Sequence, residues 1–410
     1  MIRPYEQSDL DHCLRIFKEV GWMEGKDHDK DIFAAYTNEA DSLVAELNGE
    51  VEVFVVTRSG NTLYQQTELP LSCVTGVVTS RVARQQGLAS KVTARAIAQS
   101  ATNGAAVSML GMFDQGYYEK FGYGSTVYHR ISTFNPASLR VPRLTRSPIR
   151  LSKDDAEAMH NCRCRRKRYH GSCNLDGTGE TAATTLWQED ERNAFGLGFK
   201  DDGGELTHFL WIKPKAEHGP YSVWFTGWET HEQLLELLSV LKSLSDQVHG
   251  VRMSDPPRLQ MQDFLDRPLA THRARKGGEF DSAVLNQVWM QNRILDVPTC
   301  IGAMKLLGDS VSFNLALSDP IESYLEDGSE WNGVGGDWII CLGEESSATK
   351  GCDDSLPTAT ATVNDLSRLW FGSASAEAVA LTGNFQASPE LIHQIDSIVR
   401  LPEPFIDWDF

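Results

Sequence analysis

Residues 77–91, "VVTSRVARQQGLASK", run a β-branched strand into a glycine-bearing turn and out into a helix. No other stretch narrows the chain's possibilities as much. The first turn of a helix leaves backbone N–H groups unpaired, and the helix dipole makes that end attractive to anions. Gly87 removes the side chain that would hold a phosphate group away from the backbone. The strand Val77-Val78-Thr79 can in turn offer its own backbone, sheet-fashion, to an extended ligand. Leu88, Val92 and Ala96 give the following helix its apolar face. No Lys-Ser/Thr follows the glycine, which argues against a nucleotide P-loop. From these residues alone, a plain strand–turn–helix with an incidental glycine stands as the alternative.

Thirty residues on, "YYEKFGYG" (117–124) packs three tyrosines, a phenylalanine and two glycines into eight positions. Residue type alone makes all of its aromatics candidates for a core. Composition sets wider limits. At 410 residues the chain exceeds the size at which one core keeps growing, so two or three domains are expected. Its 41% apolar and 23% charged residues are those of an ordinary globular protein. No apolar run is long enough to cross a bilayer and none resembles a secretion signal, so a cytoplasmic address and no membrane partner are expected. The net charge is −18, and residues 300–410 hold 18 Asp/Glu against four Lys/Arg. Such a field repels nucleic acid, so no nucleic-acid partner is expected; it permits a cationic substrate without requiring one.

The eight cysteines are scattered without a framework and read as reduced thiols. Cys162, Cys164, His170 and Cys173 cluster, but without a CxxC pair and among Arg163, Arg165, Arg166, Lys167 and Arg168. No metal is expected there, and the run reads as a solvated basic helix face.

Three regions separate along the chain. Up to about 133, helical and strand patterns alternate. "DLDHCLRIFKEV" has helical spacing, Asn48-Gly49 marks a tight hairpin, and Asn103-Gly104 stops the helix that begins after Gly87. A proline-punctuated exit, "FNPASLRVPRLTRSP", leads into a second mixed region, where Thr230 and Gln233 occupy capping-box positions. From about 300, short strands precede two helix-like stretches near 364–382 and 388–399. The first two regions have similar length and could be a duplication.

The turn at Gly87 resembles the acetyl-CoA loop of the GNAT N-acetyltransferases. The resemblance sharpens to the Eis ("enhanced intracellular survival") type. "YYEKFGYG" is similar to that family's Tyr-x-x-Phe-Gly-Tyr-Gly segment, "NRILDVPTCIGAM" (292–304) to its hinge into the last domain, and "TATATVNDLSRLWFG" with "LPEPFIDWDF" to its C-terminal region. The likeness spans essentially the whole chain in order. It implies an α+β protein of three parts: a GNAT domain at 1–133, a second GNAT-like domain without a working coenzyme loop at 134–297, and a sterol-carrier-protein-like (SCP2-like) domain at 298–410. It also implies a homohexamer.

Carried over residue by residue, the resemblance assigns acetyl-CoA contacts to Val77, Val78, Thr79, Gln85, Gln86, Gly87, Leu88, Ala89, Ser90, Phe113 and Asp114. Tyr118 aligns with the general acid, with Tyr117 one register away as its competitor, and the carboxylate of Phe410 with the general base. The implied reaction is direct acetyl transfer, in a ternary complex, to an amine of a cationic acceptor: an aminoglycoside, a polyamine or a lysine-like group. The chain departs from the family where Gln85 and Gln86 replace two arginines of the loop. Fewer cations there weaken the grip on phosphates, with Arg81 and Arg84 as candidate compensation. Two other readings stay open, a hydrophobic-ligand carrier and a coenzyme A-binding sensor without turnover.

Overall fold

The computed structural model describes residues 1–266 and 281–410; of the expected second domain, residues 267–280 lie outside that description. The chain opens with β1 (Ile2–Pro4), α1 (Leu10–Glu19), α2 (Asp29–Thr37), β2 (Asp41–Leu47), β3 (Glu50–Tyr64), β4 (Thr67–Thr79), α3 (Leu88–Thr102), β5 (Val107–Gly111), α4 (Gln115–Glu119) and β6 (Gly124–Ser125). Asn48 and Gly49 have φ of 56° and 85°, which gives the β2–β3 turn the left-handed pair that a two-residue hairpin needs. Along β3 the side chains alternate in direction. Phe54 and Val56 pack under α1 and α2 with Phe17 and Phe33, while Val53 and Val55 pack under α3 with Val92 and Ala96.

The chain continues through β7 (His129–Phe134), β8 (Ile149–Leu151), α5 (Ala156–Arg165), β9 (Cys173–Leu175), α6 (Gly179–Arg192), β10 (Phe195–Lys200), β11 (Leu206–Pro214), β12 (Tyr221–Gly227), α7 (His231–Ser243) and β13 (Val251–Ser254). Then come β14 (Ala283–Gln287) and β15 (Met290–Ile294). The first sheet has the order β1-β2-β3-β4-β5-β15-β6, with β9 also paired to β3. The second runs β8-β10-β11-β12-β13-β7-β14. The two orders match position for position, including one parallel pair in each, β4 with β5 and β12 with β13. Each sheet also takes its next-to-last strand from the other half of the chain. β15 pairs antiparallel with β5 and β6, and β7 pairs antiparallel with β13 and β14. The duplication suggested by length is therefore visible as repeated topology with exchanged strands.

The last part holds α8 (Val297–Gly302), β16 (Val311–Ser318), β17 (Gly336–Leu342), β18 (Ser347–Lys350), β19 (Thr358–Thr362), α9 (Val363–Trp370), α10 (Ala376–Thr382) and α11 (Pro389–Ile398). Its sheet has the order β18-β17-β16-β19. The single helical stretch expected near 364–382 is two helices, because Gly372 turns left-handed (φ 76°) and Ser375 caps a new start. This unit shares one apolar core with the first sheet. Tyr64 stacks on Trp370 with ring centroids 4.4 Å apart, and its hydroxyl donates to the Trp370 carbonyl at 2.7 Å. Arg293 of β15 and Asp319, both fully buried, pair at 2.7 Å and tie the 117–124 turn to the last unit.

Candidate functional site

β4 and β5 pair only from Leu71↔Val107 to Val74↔Leu110. Beyond that point β4 continues to Thr79 with β3 alone at its side, so Val77, Val78 and Thr79 have an open strand edge. Val78 is buried with Phe17 and Phe33, whereas Val77 and Thr79 are half-buried on the cleft face. An edge of this kind can take an extended ligand as an added strand.

The turn that follows β4 is exposed from Arg84 to Gly87. Gln85 and Gly87 have positive φ, 60° and 76°, and a Cβ placed on Gly87 would meet nothing within 4 Å. Open space therefore lies over the first turn of α3, where Leu88, Ala89 and Ser90 present their backbone. Gln86 turns inward, its Nε2 donating to the Val82 carbonyl at 2.7 Å. Arg81 is held by Glu19, whose carboxylate accepts its backbone N–H at 2.8 Å and whose carbonyl accepts its guanidinium at 3.3 Å. Arg84 and Lys91 are exposed at the start of α3, and Lys120 joins them, its Nζ donating to Ser90 Oγ at 2.7 Å and lying 4.0 Å from the Tyr117 ring centroid. Desolvation lowers its pKa. Nothing in the local sequence pattern marked Lys120; its signal is a lysine next to the aromatic turn.

The equivalent turn of the second half differs. A Cβ on Gly227 would meet Cys162 Sγ at 2.9 Å. Thr230 Oγ1 accepts from the Gln233 N–H, and Gln233 Oε1 accepts from the N–H groups of Glu229 and Thr230. The capping box that the sequence contains thus occupies the Gln233 N–H of the first turn of α7.

The three tyrosines of 117–124 have different surroundings. Tyr123 is fully buried and shares a 2.6 Å hydrogen bond with Ser108. The Tyr117 hydroxyl faces Ser90 and Thr93 of α3 without meeting either in hydrogen-bond geometry. Tyr118, buried, packs in one cluster with Val77, Met112 and Phe121. Burial pushes its phenol well above the usual value, and the neighbouring phenols of Tyr117, Tyr123 and Tyr36 add to this. Tyr36 itself donates to the Thr75 carbonyl at 2.8 Å, beside the point where β4 and β5 part. Tyr117 and Tyr123 belong to the same cluster as Tyr118. Phe113 is 73% exposed, its ring 5.7 Å from those of Tyr117 and Tyr118. The Asp114 carboxylate caps α4, accepting from the Tyr117 N–H at 2.9 Å.

The chain's last residues reach the end of β5. An oxygen of Phe410 lies 3.2 Å from where a Cβ would stand on Gly111, the last residue of β5. The tail is held by the basic run expected to be a solvated face, and that expectation is corrected here. Arg166 donates to Asp407 at 2.9 and 2.5 Å, and the Cys173 N–H adds 3.1 Å to the same carboxylate. Arg163, 2% exposed, lies 3.7 Å over the Trp408 ring, whose Nε1 donates to Glu180 at 2.8 Å. A run of arginines beside an acidic aromatic tail was the available signal. Cys162, Cys164, His170 and Cys173 do not converge; among the described residues the one group with metal-ligand spacing is His28, Asp29 and Glu191.

A cavity of about 580 Å³ adjoins this end of β5. It lies where β12 and β13 part after Ser222↔Arg252, and the tail residues Phe405, Asp407 and Asp409 close it. Asp409 lines it from an exposed position. Among the described residues no helix is long and apolar enough to cross a membrane.

Residues 1–126 match the family model of the acetyltransferase (GNAT) domain. Among curated proteins none matches. Solved structures similar over the whole chain include a GCN5-related N-acetyltransferase from Anabaena variabilis (TM-score 0.78, 13% identity, all of both chains covered). A probable N-acyltransferase from Enterococcus faecalis has TM-score 0.77 and 16% identity over 100% of this chain and 99% of that one. Eis1 from Mycobacterium abscessus has TM-score 0.75 and 15% identity, with both chains covered in full.

Proposed function

From a chain whose first 126 residues are a GNAT acetyltransferase domain, we propose an acetyl-CoA-dependent N-acetyltransferase that acts on an amine of a cationic acceptor, with Tyr118 as general acid and the Phe410 carboxylate as general base. The Eis-type resemblance agrees with the whole-length fold likeness to Eis1. GNAT domains use acetyl-CoA, which supplies the acetyl thioester. The observation that carries the site reading is the seat of Phe410, an oxygen of which lies 3.2 Å from where a Cβ would stand on Gly111, one residue past the last β4–β5 pair.

The residues present suit the coenzyme. The open edge of Val77 to Thr79 would run beside its extended arm, and the uncovered turn at Gly87 with Lys120 would face its phosphates. Phe113 would offer an aromatic surface. The Asp114 carboxylate is engaged as a cap and would contribute through the conformation of its turn.

An amine with a pKa near 10.4 is free base in roughly one molecule in a few thousand at pH 7. A carboxylate beside it must therefore take a proton before or during attack. Val77 offers backbone N–H to the charge that develops on the carbonyl oxygen. As the nitrogen–carbon bond forms and the carbon–sulfur bond breaks, the Tyr118 phenol protonates the departing sulfur. The ammonium gives up two protons in all; one ends on sulfur and the other in solvent. Burial keeps the phenol protonated until that moment.

The SCP2-like reading of 298–410 and the hexamer belong to the same proposal and rest on the resemblance; the cytoplasmic address belongs to it as an expectation from the sequence pattern. Coenzyme A release on adding amine tests the function: the carrier and sensor readings both expect no thiol.

A further inference from the structure

His129, at the start of β7, is 4% exposed, and its Nε2 has no hydrogen-bond partner. Its ring stacks on Phe405 with centroids 5.0 Å apart and lies 5.4 Å from Trp289. It lines the 580 Å³ cavity. Burial lowers its pKa to about 4, so the imidazole is neutral and holds one N–H and one lone pair. A buried polar atom without a partner is costly, and this one belongs to a ring that lines a cavity, where a ligand can reach it.

The charges around the cavity divide into satisfied and unsatisfied. Asp407 is taken by Arg166, and Asp255 accepts from Ser132 Oγ at 2.5 Å and from the Met261 N–H at 3.3 Å. Asp409 forms no ion pair among the described residues. On the opposite strands, Lys213 holds its ammonium 4.2 Å from the Trp224 ring centroid, its pKa lowered by desolvation first and then by the charges of Arg192 and Arg252. Leu210, Val223, Phe225, Trp228, Leu234 and Leu237 supply the apolar wall.

We propose that this cavity is the acceptor pocket and that it takes a monoamine carried on an apolar body of aromatic size, its nitrogen held by His129 and Asp409. The proposal rests on the acetyltransferase reading above and narrows its acceptor. Gly111 lines the cavity, and an oxygen of Phe410 lies 3.2 Å from where its Cβ would stand, so the Gly111 end of the cavity is the end nearest the proposed base. The volume suits a small ligand, and the aromatic walls suit its body. Lys213 and Arg252 repel second and third positive charges, which counts against polyamines and aminoglycosides.

The test is coenzyme A release with 2-phenylethylamine and with spermidine, alongside a direct titration of acetyl-CoA. The expected KM for 2-phenylethylamine is at least about tenfold lower than for spermidine. His129→Leu and Asp409→Asn should each raise that KM about fivefold or more, with acetyl-CoA affinity unchanged, and His129→Gln should recover part of the loss. Should His129→Leu misfold, Asp409→Asn, on the accessible tail, carries the test. A preference for spermidine, or a KM unmoved in Asp409→Asn, overturns the pocket while acetyl transfer stands. No coenzyme A with either amine overturns both.

Discussion

An oxygen of Phe410 stands 3.2 Å from the point a side-chain carbon would occupy on Gly111. Gly111 ends β5, and the next residue, Met112, donates its N–H to the Trp289 carbonyl at 2.6 Å. The last residue of the polypeptide is thereby seated against the strand that leads directly to Phe113 and Tyr118. Any side chain at 111 enters its space. Gly111→Val should lower kcat about tenfold or more with acetyl-CoA affinity within about twofold, because the base moves while the coenzyme edge on β4 does not. Steady-state kinetics beside a coenzyme titration read this out.

Tyr117 and Tyr118 are separable by the same pair of measurements. Tyr118→Phe should reduce kcat about 10²-fold or more with little change in acetyl-CoA binding, since it removes the proton donor and keeps the packing. Tyr117→Phe, whose hydroxyl faces α3, should change kcat by less than about threefold. The reverse pattern would move the acid to Tyr117.

Lys120 takes over where Gln85 and Gln86 stand in place of arginines. Lys120→Met should weaken acetyl-CoA about fivefold or more while a donor lacking the phosphates, such as an acetyl-pantetheine thioester, loses little. Equal losses for both donors would show that Lys120 supports the fold and not the phosphates.

The Arg166–Asp407 pair anchors the tail from a nearly buried position. Asp407→Ala strands Arg166 beneath the surface and should cost about 3 kcal/mol of stability. It should also cut kcat, because the tail beyond it bears Phe410. Thermal unfolding with kinetics on the same preparation checks both; a stable variant with full activity would show that the tail is held elsewhere.

How far the sequence reaches depends on how local the physics is. The hairpin at Asn48-Gly49, the turn at Gly87 and the capping box at Thr230 were legible because each is decided within a few residues. The exchange of β7 and β15 was not, since no local pattern records which sheet a strand joins. Arg166 was misread as solvated for the same reason, its partner Asp407 lying 241 positions away. Among the tyrosines, residue type could not choose; they differ in surroundings set by contacts between elements, Tyr123 bonded to Ser108 of β5 and Tyr117 turned to α3.

Stability should rise with pH between about 4 and 6.5. His129, His160 and His170 are all held near 4 by burial, so between those values the unfolded chain binds protons that the folded one refuses. Tm at pH 5 should fall at least about 5 °C below that at pH 7; an equal or higher Tm at pH 5 would mean that those imidazoles are protonated in the folded protein.

The most direct measurement compares coenzyme A release by the chain ending at Phe410 with release by one carrying a single added glycine, each titrated with acetyl-CoA. The expected result is unchanged coenzyme affinity and a kcat lower by about 10²-fold, because the carboxylate is displaced from Gly111. Equal turnover by the two chains would contradict a base at Phe410.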